Sequence, residues 1–403
     1  MTTFIGKFAL GLLPLLSVCL IWANAPGPRR TLLFLAAVPG SLYLWREGRQ
    51  ILGGKFLWLM PWLVVAIFSI FWSYAPGRGL SDAMNEVVAP IMAAGLALGV
   101  ARIAHFEHFL RIFLLSLVVA AALSTLGGLH AHVGFWPTGP RWLLATYPGR
   151  GVASTFGVLL SLLAFGCWLI YRQRERVISR LSLLLLGEGV LLGVLGHNRM
   201  YWFALVVGLL PWLPLLWRQS IKMRMAILVS GLLLFAGGVA YSSYFAKNLE
   251  SQMTFSEAVA NKYGNDPRWV IWWDWLQVAA ERPWLGYGYG SRVLPKLGEE
   301  KIVVTVDPNA QQHSHNVFLN VLVQTGLVGL CAFLALLYGV FRLLAPTANS
   351  QCAQELWHYL GYSLLVGCIA KSLTDDFFWG PAGGMMWLLI GLLAGRQRID
   401  KSD

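Results

Sequence analysis

Long apolar runs, broken by short charged segments, fill most of the chain. They lie near Phe8–Ala23, Thr31–Trp45, Phe56–Trp72, Val87–Ala101, Ile112–Leu126, Val152–Tyr171, Leu181–Gly196, Met200–Trp217, Met225–Tyr241, Val317–Phe341, Leu356–Ala370 and Gly380–Gly395. A helix needs about 20 mostly apolar residues to cross the hydrocarbon layer. Several runs fall short of that, so their ends are expected to shift by a few residues. The pattern predicts an all-α polytopic membrane protein with about twelve transmembrane helices.

The stretch from Ser242 to Gln312 breaks the pattern. It is too long for a connector, and its content argues for order. Asp266 and Pro267 suit an N-cap and a first helical position. The helix would run on through Arg268–Trp275 and stop before Pro283. Trp269, Trp272, Trp273 and Trp275 suit a helix at the membrane–water boundary. Gly286-Tyr287-Gly288-Tyr289-Gly290 reads as a tight turn. The expected layout is spans one to nine over 1–241, a large extracytoplasmic loop over 242–316, and the last three spans with a cytoplasmic tail over 317–403.

Composition agrees. Of 403 residues, 57% are hydrophobic and 12% charged, more apolar side chain than a soluble domain can bury. The formal charge of +12 fits topology and contact with anionic membrane lipid, not nucleic acid. Arg46, Arg49 and Lys55 share one short loop, Arg172, Arg174, Arg176 and Arg180 another, and Arg218, Lys222 and Arg224 a third. With Arg396, Arg398 and Lys401 they all fall on one side if both termini are cytoplasmic. Lys7, the first run and Ala23-Asn24-Ala25 also resemble a secretory signal, but an even span count accounts better for the arginine-rich loops. Five cysteines (Cys19, Cys167, Cys331, Cys352, Cys368) show no disulfide framework or metal spacing. No phosphate-binding loop, zinc motif or serine-hydrolase motif is present, so neither metal nor cofactor is expected.

Chemistry concentrates at the outer boundary. In His313-Ser314-His315-Asn316, either Ser314 or Asn316 can cap the helix that follows. His315 then sits at the positive end of that helix, which favours a neutral imidazole able to take a proton. A polar interface cap is the simpler role for both histidines. Arg268 shares a helical face with Trp272 and Trp275, which would hold its guanidinium at headgroup level. Arg199 follows Gly196-His197-Asn198 in a very short outer turn, against the topological bias for basic residues, and so needs an anionic partner. Arg141 and Arg150, with Arg29, Arg30 and Arg78, are further outer arginines suited to phosphate or to anionic headgroups. Lys371 with Asp375 and Asp376 is either an ion pair with a cap or a polar wall of the same cavity.

At these residues the chain resembles the O-antigen ligase family and the related O-antigen polymerases. The matching pieces are Asn198-Arg199, Arg268-x-x-x-Trp272, Glu281-Arg282-Pro283-Trp284-Leu285-Gly286 and His315-Asn316-x-x-Leu319, in that order. Each is short, and their order and topological placement carry the likeness. The resemblance implies an inverting, metal-independent glycosyltransferase of the C type in the bacterial inner membrane, with its active site facing the periplasm. It implies undecaprenyl-pyrophosphate-linked O-antigen as donor and the outer core of lipid A–core as acceptor. In that frame His315 is the general base and Arg199 and Arg268 stabilise the pyrophosphate. Arg141, Arg150, His313, Asn316, Trp272, Tyr287, Lys371, Asp375 and Asp376 are the expected substrate-binding residues.

A polymerase joining lipid-linked repeat units would share this donor and chemistry. Protein O-oligosaccharyltransferases usually carry extra length after the last spans and fit less well. A transporter of the same lipid would show inverted repeats and helices broken near the midplane, and the runs show neither. Oligomeric state is left open.

Overall fold

The computed structural model describes residues 2–22, 26–48, 53–133, 141–217, 268–301, 312–346, 352–375, 378 and 380–397, with scattered positions between 221 and 240. Among the described residues every regular element is helical. The elements are α1 (Thr2–Ile21), α2 (Pro26–Tyr43), α3 (Leu57–Trp72), α4 (Pro76–Val100), α5 (Phe106–Val133), α6 (Arg150–Tyr171) and α7 (Arg176–Leu195). They continue with α8 (Arg199–Leu215), α9 (Arg268–Glu281), α10 (Val293–Lys301), α11 (Val317–Leu344), α12 (Cys352–Ser372) and α13 (Gly380–Arg396). Five of them, α4, α5, α6, α7 and α11, are long and apolar enough to cross a membrane. The expected run at 225–241 lies largely outside the described residues.

Glycines let the helices approach closely. Gly40 of α2 packs on the Met92 carbonyl of α4, and Gly391 of α13 packs on the Ala94 carbonyl. A Cβ on Gly157 of α6 would come within 2.8 Å of the Gly193 nitrogen of α7. In lipid, where no hydrophobic force drives helices together, such close backbone packing supplies the attraction. At the arginine-rich end Arg396 meets Glu107 at 3.3 Å and Arg111 meets Glu175 at 3.1 Å. These partly exposed pairs contribute little.

Two helices differ from the sequence expectation. The fourth run was expected to begin at Val87, yet α4 begins at Pro76. Asp82 and Glu86 interrupt the apolar pattern, but both carboxylates find partners. Asp82 Oδ2 accepts from Ser291 N at 2.9 Å and Ser291 Oγ at 2.7 Å, and Glu86 Oε2 accepts from the Tyr289 hydroxyl at 3.4 Å. The second difference is a break where an unbroken run was expected. Gly326, with φ 64° and ψ −167°, interrupts α11. Its missing Cβ would run into the Trp284 backbone, so the 283–290 segment lies directly against the break. Leu327 N donates to the Pro283 carbonyl at 2.7 Å and Val328 N to the Trp284 carbonyl at 3.2 Å. On the other side, the Val323 and Gln324 carbonyls accept from Tyr287 N at 3.0 Å and Gly288 N at 2.7 Å. Gly288 is needed here because a side chain would collide with the Ser73 backbone, and its φ is +87°.

α9 and α10 cover the amino-terminal part of α11. Ile271, Trp275, Val278 and Ala279 form one buried face that packs with Val293, Leu294 and Leu297 onto Leu319 and Val323. Spacings of four, seven and eight residues are those of an amphipathic helix. The opposite face carries Trp269 and Trp273, 71% and 64% exposed, which suits the headgroup layer.

Candidate functional site

The capping residue of α11 is Asn316. Its Oδ1 accepts from Phe318 N at 2.9 Å and Leu319 N at 3.2 Å. Ser314, the other candidate cap, is instead buried beneath the turn. Its N–H and hydroxyl both point at Asn320 Oδ1, at 3.0 and 2.7 Å. His315 is thus pinned between a buried serine and a helix cap, and it adopts φ +55°. That conformation costs an L-residue about 1–2 kcal/mol, so the flanking bonds hold the imidazole where the chain alone would not. His315 N donates to His313 Nδ1 at 3.2 Å, and the two rings lie 4.0 Å apart between centroids. The Nδ1 of His313 is therefore an acceptor, and a neutral His313 carries its proton on Nε2.

Both imidazoles open onto a cavity of about 380 Å³, shared with Arg150, Asp375, the Gly149–Val152 backbone turn, Thr155 and Pro381. Three helices start around it: α6 at Arg150, α11 behind Asn316 and α13 at Gly380. Gly149, with φ +87°, turns the chain into α6 without a side-chain cap, which leaves the first-turn N–H groups facing the cavity mouth. Converging amino-terminal ends favour an anion.

Asp375 supplies the opposite charge. It accepts from Lys371 Nζ at 2.6 Å, and Lys371 is fully buried in α12. Arg268, at the start of α9, lies within the field of the same carboxylate. Burial pulls its guanidinium below the ordinary arginine range, and Asp375 opposes that pull. A carboxylate near one buried ammonium and one half-buried guanidinium leaves the cluster net positive.

Arg199 begins α8 behind Asn198, whose Oδ1 accepts from Met200 N at 3.0 Å. A Cβ on Gly196 would come within 2.9 Å of the Arg150 carbonyl, which sets this turn beside the start of α6 although Arg199 does not line the cavity. Arg141 opens the short helix Arg141–Thr146. The side chain of Arg141 and the whole of Asp376 lie outside the described residues. Trp272 is half-buried, and its Nε1 has no hydrogen-bond partner among the described residues. Tyr287 is away from the cavity, with its hydroxyl on Glu281 at 2.6 Å and the Arg282 guanidinium 4.7 Å above its ring. Bonds from Lys301 and Tyr287 hold Glu281 below the usual carboxylate range, while burial and Glu281 push Tyr287 up.

The structure therefore gathers His313, His315, Arg150 and Asp375 at one cavity and couples Arg268 and Lys371 to it. Residues 181–334 match the O-antigen ligase family. That segment runs from α7 past the break in α11 and contains Arg199, Arg268, His313, His315 and Asn316, whereas Arg150, Lys371 and Asp375 lie outside it. A Rickettsia conorii protein named as a polysaccharide ligase is 25% identical over 169 residues, covering 40% of this chain and 38% of the relative. The chain thus spans well under half the length of that relative. The matched segment lies within a helical, largely apolar chain.

Sequence reasoning named Arg150 but missed Pro148, Gly149, Gly151 and Val152 around it as cavity wall. Pro148-Gly149-Arg150-Gly151 carried the signal, since two glycines around an arginine ahead of an apolar run suit backbone exposed to a ligand. It also passed over Glu86, just ahead of the fourth run, and Gln324, a single polar residue inside the run that starts at Val317.

Proposed function

We propose that the protein transfers a glycan from undecaprenyl pyrophosphate to the outer core of lipid A–core, on the periplasmic side of the inner membrane, with inversion and without a metal. The observation that carries this reading is the single cavity that joins the His315 imidazole to Arg150 and to three helix amino termini. Pyrophosphate is a good leaving group and needs no protonating acid, but it gains charge as the glycosidic bond breaks. Fixed cations and helix ends can stabilise that charge without reorganising. Arg150 and Arg268 fill this role, with Arg199 beside the start of α6.

The acceptor is an alcohol and a poor nucleophile until its proton leaves. In this reading His315 takes that proton as the hydroxyl oxygen attacks the anomeric carbon and the bond to pyrophosphate breaks on the opposite face. His313 keeps the His315 backbone in place. Asp375 offsets Arg268 and Lys371, which keeps the anion site from being so positive that it retains its product. The lipid tail stays in the bilayer beside the exposed Trp269 and Trp273.

The test mixes purified protein with undecaprenyl-pyrophosphate glycan and lipid A–core in EDTA and follows products by gel. Sugar on lipid A–core supports the ligase. Longer lipid-linked chains with untouched lipid A–core would replace it with a polymerase. No new glycosidic bond in either pool would sink glycosyl transfer altogether.

A further inference from the structure

A second cavity, of about 280 Å³, lies on the other side of His313, which lines both. Its chemistry is different. The first cavity holds Arg150 and helix starts, whereas no Lys or Arg lines the second. Its polar groups are the Glu86 carboxylate, the Ser291 hydroxyl and the Gln324 and Asn320 amides, and Leu294 and Pro295 give it an apolar side. Glu86 feels the charges of Arg29 and Arg30, but neither lines the cavity.

These groups are held in place. Gln324 Oε1 accepts from Gly290 N at 3.1 Å, which fixes the amide and leaves its N–H groups without a partner among the described residues. Tyr289 is almost wholly buried against Trp62, and its hydroxyl fixes the Glu86 carboxylate. The break in α11 contributes as well, because Tyr289 and Gly290, which follow directly on the 287–288 backbone it secures, line the cavity. With no Lys or Arg in its wall, the cavity offers phosphate no fixed counter-charge. A carboxylate, an amide and a hydroxyl around an apolar patch instead suit an uncharged ring bearing several hydroxyls, with its C–H face on Leu294 and Pro295. The volume lies just below the roughly 300–1,000 Å³ of ordinary ligand pockets, which fits one sugar ring and not an oligosaccharide.

The geometry points to this second cavity as a monosaccharide subsite, built on Glu86, Ser291 and Gln324 and separated from the anion cavity by the His313 ring. The inference rests on the glycan-transfer reading and adds to it where a sugar ring sits. That ring belongs either to the lipid-linked donor or to the acceptor, and the chemistry of recognition is the same.

Binding, not turnover, tests it, so a failure of transfer leaves the result readable. The full-length protein in detergent is titrated by calorimetry with three probes: undecaprenyl pyrophosphate, the same lipid carrying one N-acetylhexosamine, and lipid A–core. Glu86→Gln keeps the shape of the side chain, and Gln324→Met removes the amide. Each variant is expected to bind at least one sugar-bearing probe about tenfold more weakly, the scale of a lost hydrogen bond to a charged or buried group. The sugar-free lipid should bind as it does to the wild type. Loss confined to the N-acetylhexosamine lipid assigns the subsite to the donor, and loss confined to lipid A–core assigns it to the acceptor. Unchanged binding of all three probes, or equal weakening that includes the sugar-free lipid, overturns the proposal. Should Gln324→Met fail to fold once Gly290 N–H loses its acceptor, Glu86→Gln alone decides.

Discussion

His313 accepts the backbone N–H of His315 through Nδ1, so the ring of one histidine holds the main chain of the other in its left-handed turn. The two rings lie 4.0 Å apart between centroids. The arrangement suits one proton acceptor and one positioning residue.

Replacement of His315 separates chemistry from geometry. His315→Gly relieves the backbone strain at φ +55° and is expected to fold at least as well as the wild type. It should still lose transfer by about 10²–10⁴-fold, the usual contribution of a general base. Donor binding, measured by titration with undecaprenyl-pyrophosphate glycan, should stay within a few-fold. If transfer survives in this variant, His315 is not the base.

Arg268→Ala should weaken pyrophosphate binding or slow leaving-group departure, whereas its exposed neighbour Trp269→Ala should leave both steps nearly unchanged in detergent. Arg268→Lys should restore little, since a point charge does not reproduce a planar fork. Wild-type rates and affinities in Arg268→Ala would remove it from the site.

The Lys371–Asp375 pair predicts that a double variant is more stable than the single one. Asp375→Leu alone leaves a fully buried ammonium without its 2.6 Å partner and should destabilise by about 3–5 kcal/mol. The double variant Lys371→Met/Asp375→Leu should recover most of that loss. Thermal unfolding in detergent reads both, and a double variant as unstable as the single one would contradict the pairing.

Gly326→Ala places a methyl group against the Trp284 backbone at φ 64°. A loss of about 1–3 kcal/mol in stability is expected from the strained backbone alone, with the collision added to it. A variant as stable as wild type would mean that α11 is continuous in solution.

Chelation should leave activity intact. Full inhibition by EDTA, reversed by a divalent ion, would instead make carboxylates such as Asp375 metal ligands.

Much of the fold could be read from the apolar runs, because lipid imposes one simple rule of length and composition. The α9 helix was legible from four tryptophans and a proline, and His315 from its place before a helix start. What the runs hid were features made by distant partners. Asp82 and Glu86 interrupted the pattern of α4, since Ser291 and Tyr289, which satisfy them, lie some 200 residues away in the chain. Gly326 gave no sign of a break, because Thr325-Gly326-Leu327 reads as ordinary span until the Trp284 backbone is laid against it. Tyr287 looked like a ligand contact in sequence, whereas its hydroxyl and ring face Glu281 and Arg282.

The interruption at Gly326 also bears on how a substrate gets in. The Val323 and Gln324 carbonyls, which a continuous helix would satisfy itself, are satisfied by the 287–288 backbone. Swinging that segment aside would strand the carbonyls of two buried residues, at about 1–3 kcal/mol each. The 283–290 segment is therefore a fixed wall and not a lid, so in the glycan-transfer reading the substrate reaches the cavity without waiting for that loop to open.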